Sequence, residues 1–315
     1  MSAARPGVSP VVAGMLLVAM AAILWGSSAA AVRILSDETG ASGVVIAFAE
    51  AVIAAPLLLA AGAATRGPWP PLRQAAPAAL GTGALVSGFL AAYFTAIGTV
   101  GVTTASVIAI CSAPLFTVVL AGILLRERPS RATTVALGAG IVGTALVLLS
   151  QGDTKIVGDD RLRGVLLSLL AGLCFGGENV LVRRLVARIH PTQLAALTTF
   201  AMILLLAVPA FTYSGLLSDS IHGWPWLAYL AVFPTAMAPA LHNAGLRRVP
   251  AIPASIVGLV EPLTATTLGI VVFHEAIGFA GIAGAALLLG ALVLLSISQR
   301  EPSGAMQVTA GSRDP

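Results

Sequence analysis

Ten stretches of this 315-residue chain are apolar for about 20 residues each. No other feature of the sequence constrains the fold as strongly, because a helix of that length crosses the hydrocarbon core of a bilayer. The stretches cover residues 11–33, 43–64, 76–98, 103–125, 132–150, 164–186, 192–213, 224–246, 251–273 and 278–297. We therefore predict an all-α integral membrane protein with ten transmembrane helices.

The composition supports a bilayer as the solvent of this chain. Hydrophobic residues make up 57% of it and charged residues only 10%, whereas a soluble domain carries about 25% charged residues. The pI of 9.7 could suggest nucleic acid, but Lys155 is the single lysine and no basic run exceeds a few residues. We expect a lipid bilayer, and no nucleic acid, as partner.

The distribution of basic residues predicts the orientation. If the N-terminus is cytoplasmic, 13 of the 17 basic residues fall in cytoplasmic segments. The outer side then keeps only Arg33, Lys155, Arg161 and Arg163. Cytoplasmic loops are enriched in Arg and Lys. We therefore expect a multi-pass protein of the plasma membrane with both termini cytoplasmic.

The two halves of the chain resemble each other. Shifted by 150 residues, the segment 14–35 matches the segment 164–185 at 8 of 22 positions. Further matches occur in the same order in both halves: Ala105-Ser106 with Ala254-Ser255, Pro114-Leu115 with Pro262-Leu263, Glu127 with Glu275, and Ala145–Ser150 with Ala291–Ser296. Chance does not explain this order, so we infer a duplicated unit.

Each copy holds five spans, an odd number, so the second copy enters the membrane from the opposite face. Such inverted repeats are typical of secondary transporters that work by alternating access. We assign residues 11–150 and 164–298 to the two five-helix repeats. Residues 151–163 form an extracytoplasmic linker, and residues 1–10 and 299–315 form disordered cytoplasmic tails.

Several motifs resemble the drug/metabolite transporter superfamily, in particular its EamA-type ten-helix branch. They are Leu24-Trp25-Gly26-Ser27, Ala113-Pro114-Leu115 with Arg126-Glu127-Arg128, the run from Leu241 to Ala251, and Val260-Glu261-Pro262-Leu263 with His274-Glu275. The resemblance implies a transporter of small metabolites, often an exporter of amino acids or related compounds. It also implies a central cavity lined by spans 1, 3, 4, 6, 8 and 9.

Three carboxyl side chains fall within spans: Glu50, Glu178 and Glu261. A charge near mid-membrane costs about 2.5–3.5 kcal/mol, so such residues face the protein interior and have a function or a partner. Glu178 could exchange a proton or pair with a substrate ammonium; an interhelical pair is the alternative. Glu50 lies in span 2, outside the cavity set, and we expect a structural role for it.

Glu261 directly precedes Pro262, and Pro114 occupies the matching place in the first repeat. Proline removes a helical hydrogen bond, and breaks at corresponding positions of two repeats indicate a midplane binding site. We predict helix breaks at Pro114 and Pro262 and substrate contact by Glu261. A kinked helix with Glu261 bonded to a neighbouring helix is the alternative.

The remaining candidates for substrate binding are Trp25, Tyr93, Asn179, His242 and Asn243. The offset of 149 residues places His242-Asn243 on Tyr93-Phe94, near opposite ends of the bundle. These pairs could gate the two mouths or contact the ligand; ordinary packing is the alternative. Trp25 could stack on a ligand or pack.

Other classes of function fit the sequence less well. It has no phosphate-binding G-x-x-x-x-G-K-[ST] loop, no H-E-x-x-H motif and no Cys/His spacing typical of a metal site. We therefore predict a secondary transporter, with no cofactor, metal or catalytic residue. A flippase-like protein or an intramembrane enzyme acting on a lipid-linked substrate is the alternative. We expect efflux of an amino acid or a related amine or drug-like compound, with protons as a candidate coupling ion, by a monomer or a homodimer.

Overall fold

The computed structural model of this protein describes residues 9–65, 67–100, 102–150, 161–212, 222–273 and 278–298. Every regular element in these ranges is helical, as the sequence predicts. Eight of the helices are long and apolar enough to cross a membrane. Their outward surface is rich in exposed apolar side chains, such as Ile123, Val208 and Phe279, which is the surface that lipid requires.

The helices follow the predicted spans closely. The first seven are α1 (Pro10–Thr39), α2 (Gly43–Ala63), α3 (Leu72–Val100), α4 (Val102–Leu124), α5 (Arg131–Leu149), α6 (Arg161–Leu185) and α7 (Pro191–Phe211). Span 8 consists of α8 (Trp224–Leu230), a π-helical segment (Ala231–Met237) and α9 (Ala238–Leu246). Span 9 consists of α10 (Ala251–Val257) and α11 (Val260–Phe273), and span 10 is α12 (Phe279–Ser298).

Several assigned segments lie outside the described residues. Of the predicted tails, residues 1–8 and 299–315 are not described, and neither are residues 151–160 of the linker. Arg161 and Arg163, which we assigned to the linker, belong to α6. The division of the chain at these boundaries stays a prediction.

The two halves make equivalent helix contacts around equivalent glycines. A Cβ atom on Gly176 of α6 would meet Ala113 O, Phe116 Cβ and Thr117 N of α4. A Cβ atom on Gly26 of α1 would meet Glu261 O, Thr264 Cβ and Ala265 N of α11. The second set lies 148 positions after the first, the offset that also superimposes Pro114 on Pro262. The duplication visible in the sequence is therefore a duplication of packing.

A second pair of equivalent glycines, 12 residues before the first pair, also makes equivalent helix contacts. Gly14 of α1 packs against Arg248 and Val249 at the end of α9. Gly164 of α6 packs against Thr99 and Val100 at the end of α3. The repeat register therefore pairs α1 with α6, α3 with span 8 and α4 with span 9. The result is the predicted fold of two inverted five-helix repeats.

The helices α5 and α12 pack against each other. A Cβ atom on Gly143 would lie 2.7 Å from Gly284 O, and one on Gly284 would lie 2.6 Å from Gly143 O. Small residues allow this backbone approach, which is the usual source of helix association in lipid. The duplicated phrase Ala145–Ser150 and Ala291–Ser296 thus belongs to two helices that pair with each other.

The expected proline breaks appear in one repeat and not in the other. Span 9 is divided at Gly258 and Leu259, and the next helix begins at Val260, one residue before Glu261. Glu261 N donates to Gly258 O. In contrast, α4 continues through Pro114 as one helix. The position equivalent to Gly258 in the first repeat is Ile110, and an isoleucine favours a continuous helix more than glycine does.

We expect that Gly176→Ala destabilises the bundle by about 1–3 kcal/mol, because the added methyl overlaps backbone atoms of α4. The matched control is Gly138→Ala in α5, where a Cβ atom would enter open space and alanine is the better helix former. Thermal unfolding in detergent measures both. Equal melting temperatures for the two variants would contradict the close packing at Gly176.

Candidate functional site

A cavity of about 260 Å³ lies in the middle of the bundle, between the two repeats. Six of the seven residues that we predicted to bind substrate line it: Trp25, Tyr93, Glu178, His242, Asn243 and Glu261. They come from five different spans, so folding brings together residues up to 236 positions apart. The seventh, Asn179, stands directly behind the wall.

Spans 2 and 7 also line the cavity, which corrects the expectation that spans 1, 3, 4, 6, 8 and 9 form it alone. Span 2 contributes Gly43, Ile46, Ala47 and Glu50, and span 7 contributes Ala195, Thr198, Thr199 and Met202. Helices α2 and α7 pack against each other. This contact closes the side of the cavity that α1 and α6 leave uncovered.

Glu50 faces the cavity, contrary to the expectation of a structural residue outside it. Thr235 of the π-helical segment lines the same cavity. The sequence signal was available: Glu50 is one of three carboxyl residues within spans. The assignment failed because it relied on the span set that the family resemblance implies.

Asn179 holds His242 in a fixed orientation. The Asn179 side-chain amide donates to Phe175 O at 3.1 Å, so its Oδ1 atom is the acceptor for His242 Nε2 at 2.9 Å. The proton of neutral His242 is therefore on Nε2, and Nδ1 carries a lone pair. Both side chains are 2% exposed. Asn179 thus positions a residue that lines the cavity.

Trp25 is held by a carbonyl that the π-helical segment leaves free. In this segment Ala238 N donates to Phe233 O, five residues earlier. The corresponding donor for Pro234 O would be residue 239, which is a proline and has no N–H. Trp25 Nε1 donates to Pro234 O at 3.1 Å instead. The indole ring is thereby fixed in the wall of the cavity.

Aromatic rings form much of the remaining wall. The Trp25 ring lies 5.0 Å from the His242 ring and 6.3 Å from Phe175 between centroids. Phe89 connects Phe175 to Tyr93, at 5.5 Å from each. Sequence reasoning missed Phe89 and Phe175, although Phe175 lies one helical turn before Glu178 and therefore on the same face of α6.

Two polar atoms at the cavity have no hydrogen-bond partner among the described residues. They are Glu178 Oε2 and His242 Nδ1, and both are buried. Buried polar atoms are nearly always paired, so an exception calls for a ligand or another functional reason. Both unpaired atoms belong to residues that the sequence singled out for substrate contact.

Asn243 and Tyr93 line the cavity and also connect neighbouring helices. The Asn243 amide donates to Pro191 O at the start of α7, at 3.2 Å. Tyr93 OH is hydrogen-bonded to Ser106 Oγ of α4. Both residues therefore tie helices together at the cavity rim.

A polar network closes one end of the bundle, which we call the Arg183 end. Glu127, between α4 and α5, accepts hydrogen bonds from Ala251 N at 3.2 Å and Ile252 N at 3.3 Å. It thereby caps the first turn of α10. Arg183 Nε lies 3.8 Å from Glu127 Oε1, and Arg183 Nη1 donates to Leu246 O at 2.6 Å. The network joins spans 4, 6, 8 and 9.

Comparison with known proteins identifies the relatives of this chain. The model of the EamA-like transporter family matches residues 12–149 and again residues 162–297. The uncharacterized transporter YwfM of Bacillus subtilis (strain 168) is 28% identical over 212 residues, 66% of this chain and 69% of that protein. An uncharacterized transporter of Archaeoglobus fulgidus is 27% identical over 67% of this chain and 74% of its own length.

A solved crystal structure has the same fold. It superimposes with a TM-score of 0.75 over 91% of this chain and 97% of its own, at 20% sequence identity.

We expect that Glu127→Ala lowers the free energy of unfolding by about 1–2 kcal/mol, since it removes the cap of α10. Glu127→Gln keeps one side-chain oxygen as acceptor and is expected to lose less. Thermal unfolding in detergent gives the melting temperatures of the wild type and the two variants, and we expect the order wild type, Glu127→Gln, Glu127→Ala from highest to lowest. Glu38→Ala, at an exposed position of α1, is the control; if it costs as much as Glu127→Ala, the capping role is wrong.

Proposed function

Because this chain belongs to the EamA-like transporter family, a family of multi-pass membrane transporters, we propose that it moves a small amino acid or related amine by alternating access. The observation that supports this most directly is the cavity between the inverted repeats, with carboxyl and aromatic side chains in its wall. Substrate sites of inverted-repeat carriers lie at the repeat interface near the bilayer midplane.

Alternating access requires that the two ends of the cavity open in turn. The cavity extends from Asn243 and Ala195, near the Arg183 end, to Gly43 and Phe94 at the opposite end. The Arg183 end is closed by the network of Glu127, Arg183 and the first turn of α10. In our proposal this network breaks when the other end closes.

We further propose that the Arg183 end is cytoplasmic and that the protein exports its substrate. The connections at that end carry most of the arginines, including Arg126, Arg128, Arg131 and Arg188, as the positive-inside rule demands of cytoplasmic loops. Export with protons as the coupling ion agrees with carboxyl groups in the cavity, because a carboxyl group can hold either a proton or a cationic substrate, in turn.

We expect Glu178→Gln and Glu261→Gln each to lower proton-driven transport at least tenfold, because the amide cannot exchange a proton for a cation. The measurement is uptake of labelled amino acids and amines into proteoliposomes, with and without a pH gradient. Glu38→Gln, on the exposed end of α1, is the control. Normal transport by both variants across pH would exclude the involvement of Glu178 and Glu261.

The orientation is tested by cysteine labelling in a Cys111→Ala, Cys174→Ala background. A membrane-impermeant maleimide is expected to label Lys155→Cys in intact cells, whereas Arg128→Cys reacts only after permeabilisation. Labelling of both positions from the same side would contradict the inverted arrangement. The reverse pattern would invert the assignment of the two ends.

A further inference from the structure

In the described part of the chain, the cavity is lined by carboxyl side chains without a lysine or arginine to balance them. The carboxyl side chains are those of Glu50, Glu178 and Glu261. A carboxylate that is removed from water without a countercharge is costly. The site therefore favours a cation, a proton or a cationic ligand, and disfavours a second anion.

Several hydrogen-bond donors at the cavity are already in use. Trp25 Nε1 donates to Pro234 O, Ser28 Oγ to Trp25 O, and the Asn243 amide to Pro191 O. A carboxylate ligand needs donors such as arginine, free backbone N–H groups or hydroxyl groups. At Trp25 and Ser28 it would have to break an existing hydrogen bond to obtain one.

Acceptors, in contrast, stand free. Glu178 Oε2 and His242 Nδ1 are buried at the cavity and have no protein partner among the described residues. The Asn179 contact fixes His242 with its Nδ1 lone pair available. An ammonium group carries three N–H donors and no acceptor, which is the complement of this pair of atoms.

The rest of the wall suits the body of such a cation. Trp25, Phe175, Phe89 and Tyr93 form a connected set of rings. Aromatic faces attract organic cations and pack against apolar or aromatic groups. The cavity thus has an acceptor-rich part and an aromatic part.

We propose, building on the transporter function proposed above, that the substrate is an aromatic or apolar monoamine without a carboxylate. Its ammonium group binds to Glu178 and His242, and its body packs against Trp25 and Phe175. An amino acid with the same side chain is rejected, because its carboxylate meets three glutamates and finds no lysine or arginine among the described lining residues. Selection against the zwitterion is therefore a property of this cavity.

The test compares ligands that differ in one group. Phenethylamine has the ammonium group and lacks the carboxylate. Phenylalanine has both groups, and 2-phenylethanol has neither of them. Binding to the purified wild-type protein is measured by thermal shift and by tryptophan fluorescence. We expect phenethylamine to bind at least tenfold more tightly than either of the others. Equal or tighter binding of phenylalanine, or no binding by phenethylamine, overturns the proposal.

Variants locate the ammonium group. We expect Glu178→Gln to weaken phenethylamine binding at least tenfold while leaving the weak binding of 2-phenylethanol unchanged, because the alcohol makes no ion pair. Glu38→Gln serves as the control for the loss of a carboxyl group elsewhere. Undiminished phenethylamine binding by Glu178→Gln overturns the assignment. If that variant does not fold, the comparison of the three ligands on the wild-type protein still decides the proposal.

Counterflow in proteoliposomes separates this proposal from the transporter function. Exchange of phenylalanine but not phenethylamine would keep the transporter function and overturn the selection of amines. If no labelled amine or amino acid of the panel crosses the bilayer, the transporter function fails as well. Exchange of phenethylamine with at least tenfold preference over phenylalanine supports both.

Discussion

The absence of water from the hydrocarbon core is the constraint on which this structure depends. Every backbone polar group within a span must find a partner in the protein, and a buried side-chain polar group without one is costly. Where Pro239 removes a donor in span 8, the indole of Trp25 supplies one to Pro234 O. The Asn179 amide satisfies both Phe175 O and His242 Nε2. Against this background, the two unpaired atoms at the cavity, Glu178 Oε2 and His242 Nδ1, define the part of the protein that is left for a ligand.

Much of the fold could be predicted from the sequence, because bilayer thickness fixes the length of a span and duplication fixes the register. The sequence offsets of 150, 149 and 148 residues relate contacts in the structure as well. Gly26 meets positions of α11 that are equivalent to the positions of α4 that Gly176 meets. The carboxyl residues within spans also predicted part of the site, since a carboxyl group within a span is costly unless it faces the interior. Glu178 and Glu261 were found in this way.

What the sequence did not predict depends on local backbone geometry. The π-helical segment at Ala231–Met237 follows from the joint positions of Pro234 and Pro239, and a hydropathy pattern does not register it. It also brings Thr235 into the wall of the cavity that Glu50 lines. Helix α4 continues through Pro114 because the residue one turn earlier is Ile110. In the other repeat, the equivalent residue is Gly258, which allows the helix to be divided.

The two repeats share a scaffold but not a chemistry. In the repeat register, Glu178 corresponds to Ser28, Glu261 to Ala113, and His242 to Tyr93. The second repeat therefore carries most of the acceptors, and the first carries Trp25, Phe89 and Tyr93 of the aromatic wall. In the transport cycle that we propose, the symmetric scaffold gives the two access states similar packing, since the contacts of Gly26 and Gly14 have counterparts at Gly176 and Gly164. In the same proposal, the asymmetric lining orients the ligand, so the same groups bind the ligand whichever end of the cavity is open.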